Sequence, residues 1–115
     1  MNSNVFVKSK DIEWEEVASG VRRQILGYDS LLMMVSVQFE QGAVGSLHTH
    51  PHRQVSYVHS GSFEITINEE KRILTKGDSF FVPSDAEHGV VALEEGCLID
   101  VFTPVRDDFF PDHEN

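Results

Sequence analysis

Alternation of apolar and polar residues with a period of two is the feature that most restricts the fold of this chain. Phe63, Ile65 and Ile67 alternate with polar residues at 64, 66 and 68. Because successive side chains of a strand point to opposite faces, this pattern predicts a strand with one buried face. No segment shows the period of a long amphipathic helix, so we predict an all-β protein.

Short apolar segments separated by Gly, Pro, Asn and Asp extend this pattern along the chain. Strands are predicted at 21–26, 31–40, 63–67, 72–74, 79–82, 90–93 and 98–102. Segment 12–17 fits a short helix or a strand, and 27–29 is a hairpin-turn signal. Many short strands of this kind indicate a sandwich or barrel, and 115 residues suit a single domain over 1–115, with an acidic tail at 107–115.

The charge balance restricts the class of partner. The chain carries 19 acidic and 9 basic residues, for a net charge of −10. Nucleic acids and anionic membranes need a basic surface, so we expect neither as a partner. Cys97 is the single cysteine, which precludes an intrachain disulfide, and no long apolar run follows Met1. We therefore expect a cytoplasmic protein.

Three histidines and a glutamine have the spacing of a metal site. They stand in two frames, G-x5-H-x-H-x3-Q-x6-G over 42–61 and G-x5-P-x-D-x2-H over 77–88. His48 and His50, two residues apart on an extended strand, would share a face. With His88 and the amide oxygen of Gln54 they would bind one divalent ion and leave room for a ligand.

Simpler structural interpretations of these residues remain open. The four could be ordinary polar residues in turns, or Gln54 could hydrogen-bond inside the barrel and leave three protein ligands. Because Pro51 interrupts the strand, we interpret His52 as a rim residue. His59 has the opposite parity to Gln54 and should face away, and His113 in the tail should be solvated.

A second polar group follows the last predicted strand. Asp100 shares parity with Leu98 and Phe102, so it faces inward if they do, which is costly unless it is paired or functional. It could form a salt bridge with Arg106 or Arg22, or act as a general acid/base. Phe102 could stack on a sugar or belong to the core. Arg106 could bind a carboxylate at the barrel mouth or balance the neighbouring acids at 107 and 108.

The two frames resemble the motifs of the cupin superfamily, G-x5-H-x-H-x3,4-E-x6-G and G-x5-P-x-G-x2-H-x3-N, here at 42–61 and 77–92. Gln54, Asp85 and Ala92 depart from the usual Glu, Gly and Asn. The resemblance implies a double-stranded β-helix, the jelly-roll barrel of cupins. It also makes a homodimer expected, as is common among cupins.

The segment D-x-F-x-P-x-R-x-D-F over 100–109, with the H-x-H-x3-Q site, resembles the pectin-degradation cupins of the KdgF type. Those enzymes linearise 4,5-unsaturated monouronates, which are small anionic sugars, into open-chain keto-deoxyuronates. The resemblance implies that Asp100, Phe102 and Arg106 line the substrate pocket. It implies one divalent metal ion, which could be nickel, zinc, manganese, cobalt or iron.

On this hypothesis Arg106 anchors the substrate carboxylate and Asp100 moves the proton. Gln54 in place of Glu leaves the metal site more positive, which favours Lewis-acid catalysis over oxygen activation. Two alternatives remain, a cupin-type dioxygenase and a non-catalytic module that binds a sugar or another small molecule.

Overall fold

The computed structural model describes residues 1–110, which form ten strands and two short 3-10 turns. The strands are β1 Glu15–Ala18, β2 Val21–Tyr28, β3 Met33–Phe39, β4 Val44–His48, β5 Arg53–Ser60, β6 Ser62–Ile67, β7 Glu70–Thr75, β8 Ser79–Val82, β9 His88–Ala92 and β10 Gly96–Thr103. The 3-10 turns are Ser9–Asp11 and Asp107–Phe109. None of the helices in the described part is long and apolar enough to cross a membrane.

The strands form two antiparallel sheets. The larger has the order β1-β2-β3-β10-β5-β8, and the smaller β4-β9-β6-β7. Apolar side chains from the two inner faces meet in the core, where the rings of Phe39 and Phe63 pack edge to face with centroids 5.3 Å apart. The prediction of an all-β barrel or sandwich is confirmed.

Alternation of side chains assigns the inner and outer face of each strand. On β5, Gln54, Ser56 and Val58 are buried while Arg53, Val55, Tyr57 and His59 are exposed. On β10, Leu98, Asp100 and Phe102 share the inner face. The inner face of the larger sheet therefore brings polar side chains from β5 and β10 together.

Most predicted strands coincide with observed ones to within two residues. Segment 12–17, which the sequence left open between helix and strand, contributes to strand β1. The predicted turn at 27–29 is placed too early, since Gly27 and Tyr28 still belong to β2. The turn begins at Asp29, whose Oδ1 accepts hydrogen bonds from the backbone N–H groups of Leu31 and Leu32.

Two motif positions have a backbone conformation that explains their residues. Gly61 has φ +81°, and a Cβ there would lie 2.6 Å from the carbonyl oxygen of Glu95. Asp85, which stands where the second cupin motif has Gly, has φ +65°. Asp enters this left-handed region more readily than most residues, so the substitution keeps the local turn.

Candidate functional site

Three histidines converge where the smaller sheet meets the β4–β5 connection. His48 is the last residue of β4 and is paired in register with His88, the first residue of β9. His50 lies beyond the end of β4, so the expectation that His48 and His50 share one strand is wrong. The chain turns at Pro51, and this turn still directs the ring of His50 to within 4.7 Å of the ring of His88, measured between centroids.

The hydrogen bonds of the three rings fix their tautomers. The Nδ1 of His48 lies 2.8 Å from the Ser46 oxygen, that of His50 lies 3.0 Å from the His52 oxygen, and that of His88 lies 2.9 Å from the Ala86 oxygen. A backbone carbonyl can only accept, so each Nδ1 carries the proton. Each neutral ring then keeps a lone pair on Nε2, the form that binds a metal.

The electrostatics of the site favour the neutral form of His50 and His88. Burial lowers the pKa of His88 to about 4 and, with the charge of Arg106, also lowers the pKa of His50. One ligand nitrogen from each ring lies within 4.8 Å of the others. The Nε2 of His88 is buried and has no hydrogen-bond partner within the part of the chain described. These residues fit a divalent metal site.

Gln54 is oriented by a chain of hydrogen bonds. Its Nε2 donates to the Ser56 Oγ at 2.9 Å, and the Ser56 hydroxyl donates to the Asp100 Oδ1 at 2.6 Å. The amide oxygen of Gln54 therefore faces the opposite way, 3.0 Å from the Nε2 of His50. With the proton of His50 on Nδ1, two lone pairs face each other, an arrangement that a shared cation stabilises.

Asp100 lies on the inner face, half-buried in the cavity that the histidines line. Burial raises the pKa of its carboxyl to about 6, and the Ser56 hydroxyl and the charge of Arg106 counteract that shift. Neither of the salt bridges considered from sequence forms among the described residues. Arg106 pairs with Asp108, while Arg22 donates to the side-chain oxygen of Gln38.

Arg106 both pairs with a neighbouring acid and enters the site. Its Nε and Nη2 donate to the two carboxylate oxygens of Asp108 at 3.0 and 2.8 Å. Its side chain is nevertheless only 11% exposed and lines the cavity, with the guanidinium 4.4 Å from the ring centroid of Phe109. Arg106 therefore balances a neighbouring acid, as one interpretation held, and it also lines the cavity.

Phe102 belongs mainly to the core, where it packs with Met33, Val35 and Val105. Its ring also lines the cavity, and its centroid lies 5.8 Å from that of His50. Phe109, in the segment predicted to be an acidic tail, packs edge to face against Phe102. The 3-10 turn Asp107–Phe109 therefore lies beside the site.

The site is a cavity of about 230 Å³ between the two sheets. It holds the polar side chains of His48, Gln54, His88, Asp100, Arg106 and Arg23. Sequence reasoning missed Arg23 and Ser56. Parity could have placed Arg23 on the inner face of its strand, because it is two residues from Val21, and Ser56 on the same face as Gln54.

The remaining histidines do not belong to the ligand cluster, although the ring centroid of His52 lies 5.7 Å from that of His50. The Nε2 of His52 contacts the Val105 oxygen at 3.2 Å, so this ring spans from the metal-site loop to the segment before Arg106. His59 is exposed on the outer face, as predicted. His113 lies outside the described residues. A larger depression has a volume of about 770 Å³ and is lined by Glu16, Glu40 and Glu95 among others. None of the three clustered histidines lines it.

Comparison with known proteins agrees with this geometry. Residues 35–102 match the family described as the cupin domain. The chain belongs to the cupin family. This cupin is 50% identical over 98 residues to the pectin degradation protein KdgF of Dickeya dadantii (strain 3937), a match that covers 84% of this chain and 89% of that protein.

Two solved structures share its fold. KdgF from Halomonas sp. superposes with a TM-score of 0.89 at 41% identity, covering 94% of this chain and all of the other. An RmlC-like cupin from Shewanella frigidimarina NCIMB 400 gives a TM-score of 0.93 at 43% identity, covering 95% of this chain and 98% of the other. The predicted cupin fold and the resemblance to KdgF are confirmed.

Proposed function

We propose that this cupin is an enzyme that linearises 4,5-unsaturated monouronates from pectin or alginate breakdown into open-chain keto-deoxyuronates. The observation that carries the proposal is the meeting of a half-buried carboxyl, two arginines and two histidines of the three-histidine cluster in one small cavity. The 50% identity to a pectin degradation protein over most of the chain supports the substrate class.

The reaction is an isomerisation. In the cyclic substrate the ring oxygen joins the anomeric carbon to the C4=C5 double bond. Loss of the anomeric hydroxyl proton and cleavage of the bond between C1 and the ring oxygen give an aldehyde and an enolate at C5. Proton addition at C4 then gives the ketone, so no electrons are lost and no organic cofactor is needed.

Asp100 is suited to move the proton. A pKa of about 6 keeps both protonation states accessible near neutral pH, as acid–base catalysis requires. Its carboxylate accepts the proton of the anomeric hydroxyl and returns it to C4. The Ser56 hydroxyl holds the carboxylate in place while the second oxygen, Oδ2, remains available to the substrate.

The remaining residues bind and orient the substrate. Arg106 contacts the carboxylate of the uronate, and the ring of Phe102 closes one side of the cavity. His48, His50, His88 and Gln54 hold one divalent ion, which when bound supplies Lewis-acid stabilisation of negative charge on the substrate oxygens. The Gln54 amide adds no negative charge to the centre, which favours an anionic substrate.

The test follows the ultraviolet absorbance of the conjugated C4=C5 double bond. Metal-loaded protein should remove it faster than the spontaneous background, whereas Asp100→Ala and chelator-treated protein should not. Asp11→Ala, which removes an exposed aspartate in the Ser9–Asp11 turn, is the matched control and should retain full rate.

An oxygen electrode in the same experiment distinguishes the alternatives. Oxygen uptake would indicate a dioxygenase, and substrate binding without turnover would indicate a sugar-binding module. Absence of acceleration by metal-loaded wild type would end the linearisation proposal.

We also propose that the chain forms a homodimer in the cytoplasm. The outer face of the larger sheet carries an apolar row in which Phe81, Val55, Val101 and Met34 are register neighbours across four strands. Phe81 is 53% exposed, and near the N-terminus Val5 and Phe6 are almost fully exposed. Apolar surface of this extent is more typical of an interface than of a monomer surface.

The single, buried cysteine suits a reducing compartment.

A further inference from the structure

Arg23 is a charged residue directed into the candidate active site. It lies on β2 between Val21 and Ile25, two residues that face the core. Its side chain is only 16% exposed, and it lines the same cavity as His48, His88 and Asp100. Its guanidinium brings a positive charge to this cavity.

The contacts of Arg23 use only part of its hydrogen-bonding capacity. Its Nε donates to the Glu15 Oε1 at 2.8 Å, and its guanidinium carbon lies 3.7 Å from the ring centroid of Phe109. Within residues 1–110, Nη1 and Nη2 have no hydrogen-bond partner. These two nitrogens form one edge of the planar group, the kind of edge that binds both oxygens of a carboxylate.

Arg106 is engaged differently. Its Nε and Nη2 are both bound to Asp108, so that edge is already occupied by a carboxylate. Its guanidinium also stacks on Phe109, at 4.4 Å from the centroid. Both guanidinium groups contact the ring of Phe109 and line the same cavity, so a carboxylate bound in that cavity is attracted by both charges.

We propose that Arg23 is a second substrate-binding arginine, whose Nη1 and Nη2 receive the carboxylate that Arg106 also contacts. A carboxylate has two oxygens with about four lone-pair sites, so it can accept from both groups. The ring of Phe109 supports the guanidinium of Arg23 in position before substrate arrives. The identity of that substrate rests on the proposed function, but recognition of a carboxylate by Arg23 can be tested separately.

The first experiment measures steady-state kinetics of Arg23→Gln with the unsaturated monouronate. We expect KM to rise at least about 10-fold with kcat much less affected, because a hydrogen bond to a charged group contributes a tenfold change in affinity or more. Arg23→Lys keeps the positive charge but loses the planar pair of nitrogens, so its KM should lie between those of wild type and Arg23→Gln. Arg22→Gln is the matched control, since the neighbouring Arg22 contacts Gln38 and Trp14 outside the cavity.

A structural role for Arg23 predicts a different result. Glu15→Gln removes the negative charge of the ion pair between β1 and β2 but keeps an amide oxygen that can accept from Nε, so the guanidinium stays in place. We expect its KM to stay within about twofold of wild type. If Glu15→Gln raised KM as much as Arg23→Gln, or if Arg23→Gln left KM unchanged, the proposal would be overturned.

Calorimetry with stable sugars separates this proposal from the proposed function. Metal-loaded wild type should bind galacturonate more tightly than galactose, which differs from it at the carboxylate, and Arg23→Gln should lose that preference. This result would support Arg23 even if the unsaturated substrate were not converted. Conversion by wild type with an unchanged preference in Arg23→Gln would overturn the role of Arg23 alone.

Discussion

The hydroxyl of Ser56 donates a hydrogen bond of 2.6 Å to the Oδ1 of Asp100, across the pairing of β5 with β10. Ser56 is fully buried, and its Oγ also accepts from the amide of Gln54. An ionised carboxylate can only accept hydrogen bonds. Ser56 must therefore donate to Asp100, and its Oγ is left to accept from the amide of Gln54. The Asp100 carboxylate thus orients both the Ser56 hydroxyl and Gln54, which is a candidate metal ligand.

Removal of this hydroxyl should weaken both halves of the site. In Ser56→Ala the Gln54 amide loses the partner that fixes its orientation, so we expect metal affinity or turnover to fall about 10- to 100-fold. Metal titration monitored by calorimetry and the absorbance assay measure the two effects. Ser36→Ala is the matched control, because this buried serine contacts Cys97 outside the cavity. Equal metal affinity and turnover in Ser56→Ala and wild type would contradict the role of the hydrogen-bond chain.

The histidine cluster predicts metal-dependent stability. A divalent ion that binds only the folded state should raise the Tm of wild type, since binding at 100 times Kd contributes about 2.7 kcal/mol. His88→Ala removes the buried, unpartnered Nε2 and should lose most of this shift. Thermal unfolding with and without metal, together with metal analysis, tests this. His59→Ala, on the outer face, should behave as wild type, and a full shift in His88→Ala would exclude His88 as a ligand.

The raised pKa of Asp100 predicts how the stability of the metal-free protein depends on pH. A folded pKa of about 6, above the ordinary 3.8, means that the folded state holds the proton more tightly than the unfolded chain. This contribution is full below about pH 4 and is lost as pH rises through about 6. Asp100→Asn has no carboxyl at this position and does not lose this contribution. Its free energy of unfolding, relative to that of wild type, should therefore rise between pH 4 and 7 by at most about 3 kcal/mol.

Urea unfolding of metal-free protein at several pH values measures this difference. Asp11→Asn, at an exposed position, should track wild type throughout. A constant difference between Asp100→Asn and wild type from pH 4 to 7 would show that burial does not raise this pKa.

The outer apolar row predicts the effect of a surface charge on assembly. Phe81→Glu places a carboxylate among Val55 and its register neighbours, so it should shift a homodimer to monomer. Light scattering after size-exclusion chromatography measures the mass. Ile73→Glu is the control, since Ile73 is 63% exposed on β7 of the other sheet. A monomeric wild type, or a dimer unaffected by Phe81→Glu, would rule out this interface.

Local patterns in the sequence were enough to identify the candidate metal ligands. The spacing of His48, His50 and His88 within Gly and Pro frames pointed to one site, and the structure brings these rings together. The predicted strand shared by His48 and His50 is wrong, because β4 ends at His48 and the turn at Pro51 orients the ring of His50. Turn geometry depends on contacts such as the hydrogen bond from the Asp85 N–H to the His50 oxygen, which are distant in sequence.

Contacts between distant strands could not be predicted in the same way. Nothing in the sequence favours Ser56 over Arg22 or Arg106 as the partner of Asp100. The pairing of β5 with β10 places Ser56 directly opposite Asp100, although the two residues are 44 positions apart. The same pairing places Gln54 opposite Phe102, and so sets the lining of the cavity.

The sequence by itself determined the strand periodicity, the turns and the residue types available for metal and substrate, because these depend on neighbours along the chain. Only the tertiary structure decided which nitrogen of each histidine is free, that Arg23 and Arg106 contact the same phenylalanine ring, and that Ser56 connects Gln54 to Asp100. Hydrogen bonds have a short range and a strict direction, so they depend on strand register and sheet packing.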